Sequence, residues 1–174
     1  LQNVGSFASI DCWFKSSDVN SERFAILVGW GVGSNGFSNF GIGNWFSAFA
    51  DESIYTGYNA TSAIYSERGG HSKYHDGNWH HAVTTIGPNN HRIYVDGNEV
   101  VRVFSAGADT NSVSNVFGLT ANPENTEVYI GARPAGGGSG YFAGEIPIVK
   151  IYNRVLTAAE VEQNFNALRG RFGI

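Results

Sequence analysis

The sequence has few sulfur-containing residues and few charged residues, and each scarcity excludes a class of protein. It has no methionine and one cysteine, Cys12, so no disulfide can form within the chain. Charged residues make up 15% of the 174 residues, and the net charge is −4. Proteins that bind nucleic acid or anionic membranes need clustered positive charge, so this composition predicts neither partner. No apolar run approaches the roughly 20 residues of a membrane helix, which predicts no membrane insertion.

The chain is rich in apolar and aromatic residues, at 42% and 14% respectively. This is ample material for a hydrophobic core, and a length of 174 residues fits one domain. We therefore predict a single domain over residues 1–174. Because the sequence starts at Leu1 and contains no methionine, we expect it to be the C-terminal part of a longer protein.

The stretch Asp76–Phe104 carries the clearest strand pattern. Asp76-Gly77 and Asp96-Gly97 are dipeptides of the type that closes β-hairpins, because glycine tolerates the positive φ of such turns. Between them, Trp79–Ile86 alternates two sets of side chains, and neither set is purely polar. This pattern predicts an internal strand covered on both faces, with Trp79 in the core.

Short apolar runs separated by turn residues recur through the rest of the chain. Such a rhythm predicts an all-β, two-sheet antiparallel sandwich. Cys12 and Trp13 are expected in its core, since both lie in a strongly alternating strand. The further predicted strands are Gly5–Lys15, Phe24–Trp30, Phe40–Phe49, Arg92–Val95, Val116–Leu119, Glu127–Ile130 and Ile146–Tyr152.

One short helix is predicted at the C-terminal end. Thr157 and Glu160 have the spacing of a capping box, in which each side chain bonds the other residue's backbone N–H. Leu156 and Val161 have the spacing of a hydrophobic staple across the helix start. Gly170 is placed to end the helix.

Three ordered segments resemble a known family. DGNWHHAV, RIYVDGNEV and GEIPIVKIYNRVLTAAEV resemble the signature blocks of the laminin-G-like jelly roll in the concanavalin A-like lectin/glucanase superfamily. The resemblance implies an antiparallel jelly-roll sandwich over nearly the whole chain. The ending NFNALRGRFGI is similar to C-terminal tails of such domains in structural proteins of tailed marine phages.

One departure from the family concerns Pro147 and Ile148. They stand where many members carry acidic residues that help to fix the sheet or a calcium ion, so the resemblance does not extend to that calcium site. Proline also removes a ladder donor, which predicts that Pro147 faces an edge or a bulge.

Several aromatic residues are candidates for ligand binding. The segment Asp51–Tyr74 is predicted to be a polar loop that carries tyrosines, and two tryptophans flank glycine-rich turns. Aromatic rings dock the C–H faces of sugars while polar groups bond the hydroxyls. A protein–protein patch is the alternative, because tyrosine and tryptophan are enriched there too. The predicted ligand-binding residues are Trp30, Trp45, Tyr55, Tyr58, Tyr65 and Tyr74.

Metal and catalytic sites have weaker signals. Asp18, Asn20 and Glu22 offer oxygens at alternate positions, so calcium is a candidate cofactor, with a solvated turn as the alternative. His80 and His81 are predicted to face opposite sides of a strand, which disfavours zinc. Retaining glycosidases need two carboxylates about 5–5.5 Å apart, and no strand pattern here supplies them.

These observations leave three hypotheses for function. The first is a non-catalytic recognition module for carbohydrate binding or surface adhesion, located outside the cell or on a virion surface. The second is a structural domain of a virion or surface assembly, such as a decoration or fibre protein, whose partners are surface proteins or further copies in a homo-oligomer. The third, a glycoside hydrolase, is disfavoured because the carboxylate pair is missing, so we predict that the chain is not an enzyme.

Overall fold

The computed structural model describes residues 8–17, 24–30, 38–43, 54–58, 63–67, 74–87, 90–100, 102–106, 128–132 and 141–174. Within these ranges the chain forms eleven strands and one helix. The strands are β1 (Ala8–Lys15), β2 (Phe24–Trp30), β3 (Ser38–Gly43), β4 (Ile54–Tyr58), β5 (Ala63–Glu67), β6 (Trp79–Gly87), β7 (Asn90–Val95), β8 (Asn98–Glu99), β9 (Arg102–Ala106), β10 (Val128–Ile130) and β11 (Glu145–Tyr152). The helix is α1 (Ala158–Phe172).

The strands form two sheets in which every pairing is antiparallel. One sheet has the order β11-β1-β6-β7-β8, and we call it the helix-side sheet because α1 packs against it. The other has the order β10-β2-β3-β4-β5-β9, and we call it the aromatic sheet. Two antiparallel sheets with one C-terminal helix confirm the predicted all-β jelly-roll sandwich.

The main core lies between the two sheets. The helix-side sheet contributes side chains such as Ile10, Phe14 and Ala82, and these pack with Leu27 and Ile54 of the aromatic sheet. All five are buried, so their apolar area, at about 25 cal/mol per Å², supplies the main force that holds the sheets together.

Strand β6 is covered on both faces, as its alternation predicts. Ala82 lies in the core between the sheets, whereas its neighbour Val83 packs with Leu156 and Val161 at the start of α1. Trp13 is fully buried, as predicted, and its ring stacks on Phe172 with centroids 4.3 Å apart. Trp79 is only partly buried, because it starts the strand at the rim of this helix-covered face, so the prediction of a core position for it is wrong.

The Asp96-Gly97 turn closes a two-residue hairpin. Val95 pairs with Asn98, and both central residues have positive φ, 49° at Asp96 and 82° at Gly97. This is the primed turn that the Asp-Gly dipeptide predicts. The turn lies so close to α1 that a Cβ added to Gly97 would come within 2.8 Å of Phe165 Cδ1.

The helix begins where the sequence predicts and ends later. The Thr157 hydroxyl accepts from the Glu160 backbone N–H at 3.3 Å, and the Glu160 carboxylate accepts from the Thr157 N–H at 2.8 Å. The bond from Arg154, followed by the bonds from Thr157, lowers the pKa of Glu160 to about 2. The predicted end at Gly170 is wrong: the helix continues to Phe172, and Gly173 caps it with φ 77°.

Two smaller predictions on the helix-side sheet are confirmed. Pro147 lies in β11, an edge strand of this sheet in its described part, where the pairing with β1 shifts between Trp13 and Lys15. A bulge on an edge strand tolerates a residue without a backbone N–H. Cys12 is fully buried, and burial, followed by the charge of Asp11, raises the pKa of its thiol.

Replacing Gly97 with alanine should destabilise the fold by about 1–3 kcal/mol, because the positive φ and the contact with Phe165 both oppose a Cβ. Gly170→Ala is the matched control. That glycine lies inside α1 with nothing within 4 Å of an added Cβ, so the change should stabilise by about 0.5–1 kcal/mol. Urea unfolding measures both, and equal effects would contradict the docking of α1 on the turn.

Candidate functional site

Four of the six predicted ligand-binding residues lie on three strands of the aromatic sheet. Trp30 ends β2, Tyr55 and Tyr58 lie in β4, and Tyr65 lies in β5. Adjacent strands are about 4.8 Å apart, so the fold gathers these backbone positions into one region of one sheet. The register decides which of them share a face.

Trp30, Tyr58 and Tyr65 fall in rows that belong to the core-facing side of the sheet. Val28 packs in the core between the sheets, and the register aligns it, through β3, with Thr56 and Tyr65. Trp30 and Tyr58 pair with the same residue of β3. Their row lies two positions along the strands from the Val28 row, so it belongs to the same face. Their direct contact with a ligand stays a prediction that this register does not favour.

Tyr55 belongs to the opposite set of rows. It pairs with Gly41 of β3 and with Ser66 of β5, and Gly41 pairs in turn with Ile26 of β2. Neighbours of Ile26 and Tyr55 along their strands, such as Ile54, pack in the core, so the Tyr55 row faces away from it. Ile26, at the end of this row that lies in β2, is buried. We therefore place the candidate site on the other strands of the row, β3–β5.

Glycines occupy several of these outward positions. Gly57 of β4 pairs with Asn39 of β3, in the row beside that of Tyr55 and Gly41. A glycine inside a strand weakens it and often marks a place where a ligand or another backbone approaches closely. We call the outward positions of β3–β5 the Tyr55 patch: Asn39, Gly41, Gly43, Tyr55, Gly57, Ile64 and Ser66.

The interpretation of Asp51–Tyr74 as a loop is wrong for much of its length. Ile54–Tyr58 and Ala63–Glu67 are strands that pair with each other and join the aromatic sheet. Both contain β-branched and aromatic residues, which favour strands, whereas the serine, asparagine and glycine around them favoured a loop in the sequence. These two described segments are therefore part of a sheet and not of a loop.

Tyr74 does not join the other aromatic residues. It is 6% exposed, belongs to the core between the sheets and contacts the ring of His80 edge-on at 5.1 Å. A side chain this buried offers little surface to a sugar ring, so we leave it out of the candidate site.

Several predicted residues lie outside the described ranges. These are Trp45 and the candidate calcium ligands Asp18, Asn20 and Glu22, for which the calcium site stays a prediction. In the described part of the chain, no group of three or more His, Cys, Asp or Glu residues is arranged to hold a metal ion. Nor, within those ranges, is any helix long and apolar enough to cross a membrane.

His80 joins two turns that the sequence predicts only separately. Its Nδ1 lies 3.0 Å from Asp96 Oδ2, and its Nε2 lies 3.2 Å from Asp76 Oδ1. Asp96 Oδ1 also accepts from the backbone N–H of His81 at 2.8 Å. We call this group the His80 clamp. With the imidazole between them, the two carboxylates are not arranged as the acid and nucleophile of a glycosidase.

The clamp shifts the pKa values of its members. Burial alone would lower the pKa of His80, but the bonds and charges of Asp96 and Asp76 raise it above its usual 6.5. Burial alone would raise the pKa of Asp76, but the bonds from Asn78 and His80 lower it below its usual 3.8. The clamp is therefore an ion pair at mildly acid pH, and its position at the turns indicates a structural role.

His81 faces the other side of the sheet from His80, as predicted. It is fully buried under α1, where its Nε2 lies 3.1 Å from Asp11 Oδ1 and its ring stacks with Phe165 at 5.9 Å. Asn164 of α1 donates to Asp11 Oδ2 at 2.8 Å. This group ties the helix to the sheet, and no signal in the sequence indicated that Asp11 would meet Asn164, 153 residues away.

A groove of about 470 Å³ lies between α1 and the β7–β8 turn. Its lining includes the charged or amide side chains of Glu99, Glu162, Asn166 and Arg169. Glu99 is already paired with Arg92. The groove is thus a concave surface on the opposite sheet from the Tyr55 patch.

Comparison with a family model places most of the chain in one superfamily. The model described as the concanavalin A-like lectin/glucanases superfamily matches residues 3–162. A search of curated proteins found no match.

Solved structures with the same fold come from carbohydrate-active proteins. The CBM40 of the Ruminococcus gnavus IT-sialidase, bound to α2,3-sialyllactose, has a TM-score of 0.67 at 12% identity, covering 91% of this chain and 82% of that one. Domain 4 of AbnA, a GH43 extracellular arabinanase from Geobacillus stearothermophilus in complex with arabinotriose, has a TM-score of 0.62 at 16% identity, with 93% and 68% covered. The Streptococcus pneumoniae NanB sialidase has a TM-score of 0.67 at 16% identity, and this chain covers 24% of it. At these identities the likeness shows the fold.

The His80 clamp should make stability depend on pH in a defined window. Because the pKa of His80 is raised in the folded state, its contribution is fully present below the usual 6.5 and is lost as pH rises through the raised value. Because the pKa of Asp76 is lowered, its contribution is present above the usual 3.8 and is lost as pH falls through the lowered value.

The variant His80→Gln should therefore lose most stability relative to the parent between pH values of about 4 and 6, and less at about pH 9. Urea unfolding across this range measures the difference, with Asp76→Asn as a variant that removes only one of the two carboxylates. A loss that stays constant from pH 5 to 9, to within about 0.3 kcal/mol, would contradict the charged clamp.

Proposed function

Since the chain belongs to the concanavalin A-like lectin/glucanases superfamily, we propose that it is a non-catalytic module that binds carbohydrate through the Tyr55 patch. The observation that carries the proposal is the register, which sets Tyr55 beside Gly41 and Ser66 in a row facing away from the core. An aromatic ring can cover one face of a sugar, while hydroxyl and amide groups nearby bond its hydroxyls.

The neighbours of Tyr55 in the patch also suit a carbohydrate ligand. Gly41 pairs with Tyr55 from β3, and Gly57 lies two residues further along β4. A sugar ring on the tyrosine can therefore approach the backbone of β3 and β4 at these two positions. Asn39 and Ser66 supply neutral hydrogen-bonding groups at its margins. Two solved structures of the same fold are described with bound sugars, which agrees with a sugar ligand here.

The proposed module works by recognition and not by catalysis. Hydrolysis of a glycosidic bond needs two carboxylates free to act on the substrate. The strands β3, β4 and β5 contain one carboxylate, Glu67, and its register partner is Arg102. The proposal places the chain outside the cell, where glycans are presented, with calcium as a candidate cofactor to be tested by adding EDTA.

An assembly role on a virion or another surface is the second proposal. Ile130 is 57% exposed at the end of β10, and Tyr141 is 67% exposed in the segment that leads into β11. Exposed apolar side chains next to strand edges are suited to a protein partner or to a further copy of the chain. Light scattering across a range of concentrations tests the oligomer, independently of any glycan.

Replacing Tyr55 with alanine should weaken glycan binding about fivefold or more, because it removes a stacking contact worth about 1 kcal/mol. A glycan array followed by calorimetry on the tightest ligand measures the change. The stability of the variant should change little, since its row faces away from the core.

Tyr58→Ala and Tyr141→Ala are the matched controls for this prediction. Tyr58 lies three residues along the same strand in a core-facing row, so its loss should lower stability more than affinity. Tyr141 is an exposed tyrosine far from β4 in the chain, and its loss should change neither quantity. If Tyr58→Ala abolished binding in a fully stable protein while Tyr55→Ala bound normally, the assignment of the binding face would be wrong.

A further inference from the structure

The described strands of the two sheets differ sharply in their number of charged residues. The five strands of the helix-side sheet contain six charged residues besides histidine: Asp11, Lys15, Arg92, Glu99, Glu145 and Lys150. The six described strands of the aromatic sheet contain two, Glu67 and Arg102. Charge is therefore concentrated on the sheet that carries the helix.

The two charged residues of the aromatic sheet are cross-strand partners. Glu67 of β5 pairs directly with Arg102 of β9 at the edge of the sheet. Opposite charges at paired positions offset each other locally. The described strands of this sheet thus have no net charge.

The same strands are rich in aromatic and neutral polar residues. The aromatic residues are Phe24, Trp30, Phe40, Tyr55, Tyr58, Tyr65, Phe104 and Tyr129. In the Tyr55 patch itself, the polar members are Asn39, Tyr55 and Ser66, all of them uncharged. Such groups bond hydroxyls well, whereas carboxylates and sulfates are held best by charge-assisted bonds from arginine or lysine.

From this charge pattern we infer that the Tyr55 patch takes neutral glycans and discriminates against sialylated or otherwise anionic ones. The inference rests on the proposed function and names the ligand class of the same site. The net charge of −4 acts in the same direction, because it repels an anionic ligand at long range. Binding should depend on stacking and neutral hydrogen bonds, which salt screens little.

The test compares lactose with 3′-sialyllactose, which share a core and differ by one anionic sugar, and adds arabinotriose as a second neutral probe. Calorimetry at about 50 mM and about 500 mM NaCl separates neutral from charge-assisted binding. A neutral probe should bind at least about tenfold more tightly than 3′-sialyllactose, with an affinity that changes less than about twofold with salt.

The variant Arg102→Gln removes the one cation of the described strands of the aromatic sheet, outside the proposed patch. It should leave the affinity for the neutral probe within about twofold of the parent, once circular dichroism shows that the variant is folded. Glu67→Gln is its matched partner, because it removes the opposite charge of the same pair.

The outcomes separate the inference from the proposed function. Tighter binding of 3′-sialyllactose, weakened by salt and by Arg102→Gln, would overturn the neutral-ligand inference while the carbohydrate-binding function stood. Absence of binding to all three probes and to every glycan of an array would overturn the proposed function, and the inference with it.

Discussion

Strand β6 imposes the constraint on which the rest of this fold depends, because both of its faces must be buried. Ala82 faces the core shared with the aromatic sheet, and Val83 faces α1. Without the second sheet one face would be exposed, and without the helix the other would be. The helix therefore acts as a third layer, fixed by Val161 and by the bond from Asn164 to the buried carboxylate of Asp11.

This three-layer arrangement puts the helix contacts and the proposed binding face on different sheets. The helix-side sheet holds the buried contact between His81 and Asp11, the His80 clamp and both Asp-Gly turns, all of which serve stability. The aromatic sheet carries no net charge in its described strands, and the register sets Tyr55 in a row on the face away from the main core.

Local signals made much of this structure predictable from the sequence, and long-range pairing made the rest unpredictable. The Asp96-Gly97 turn and the Thr157 cap depend on neighbouring residues, so the sequence predicts them correctly. The end of α1 depends on a distant contact, since Phe172 still stacks on Trp13 beyond Gly170. The candidate site was the least predictable part. Only the register across β2–β5 shows that Tyr55 and the tyrosine three residues later belong to opposite faces of the sheet.

The central claim is that a neutral glycan lies on the outward face of the aromatic sheet, over Tyr55. The most direct measurement is an amide chemical-shift titration of the labelled protein with lactose or arabinotriose, whichever binds more tightly. Binding over Tyr55 should concentrate the shifts in β3, β4 and β5 and leave the amides of α1 unchanged. Shifts confined to the groove between α1 and the β7–β8 turn, or no shifts with either sugar, would contradict it.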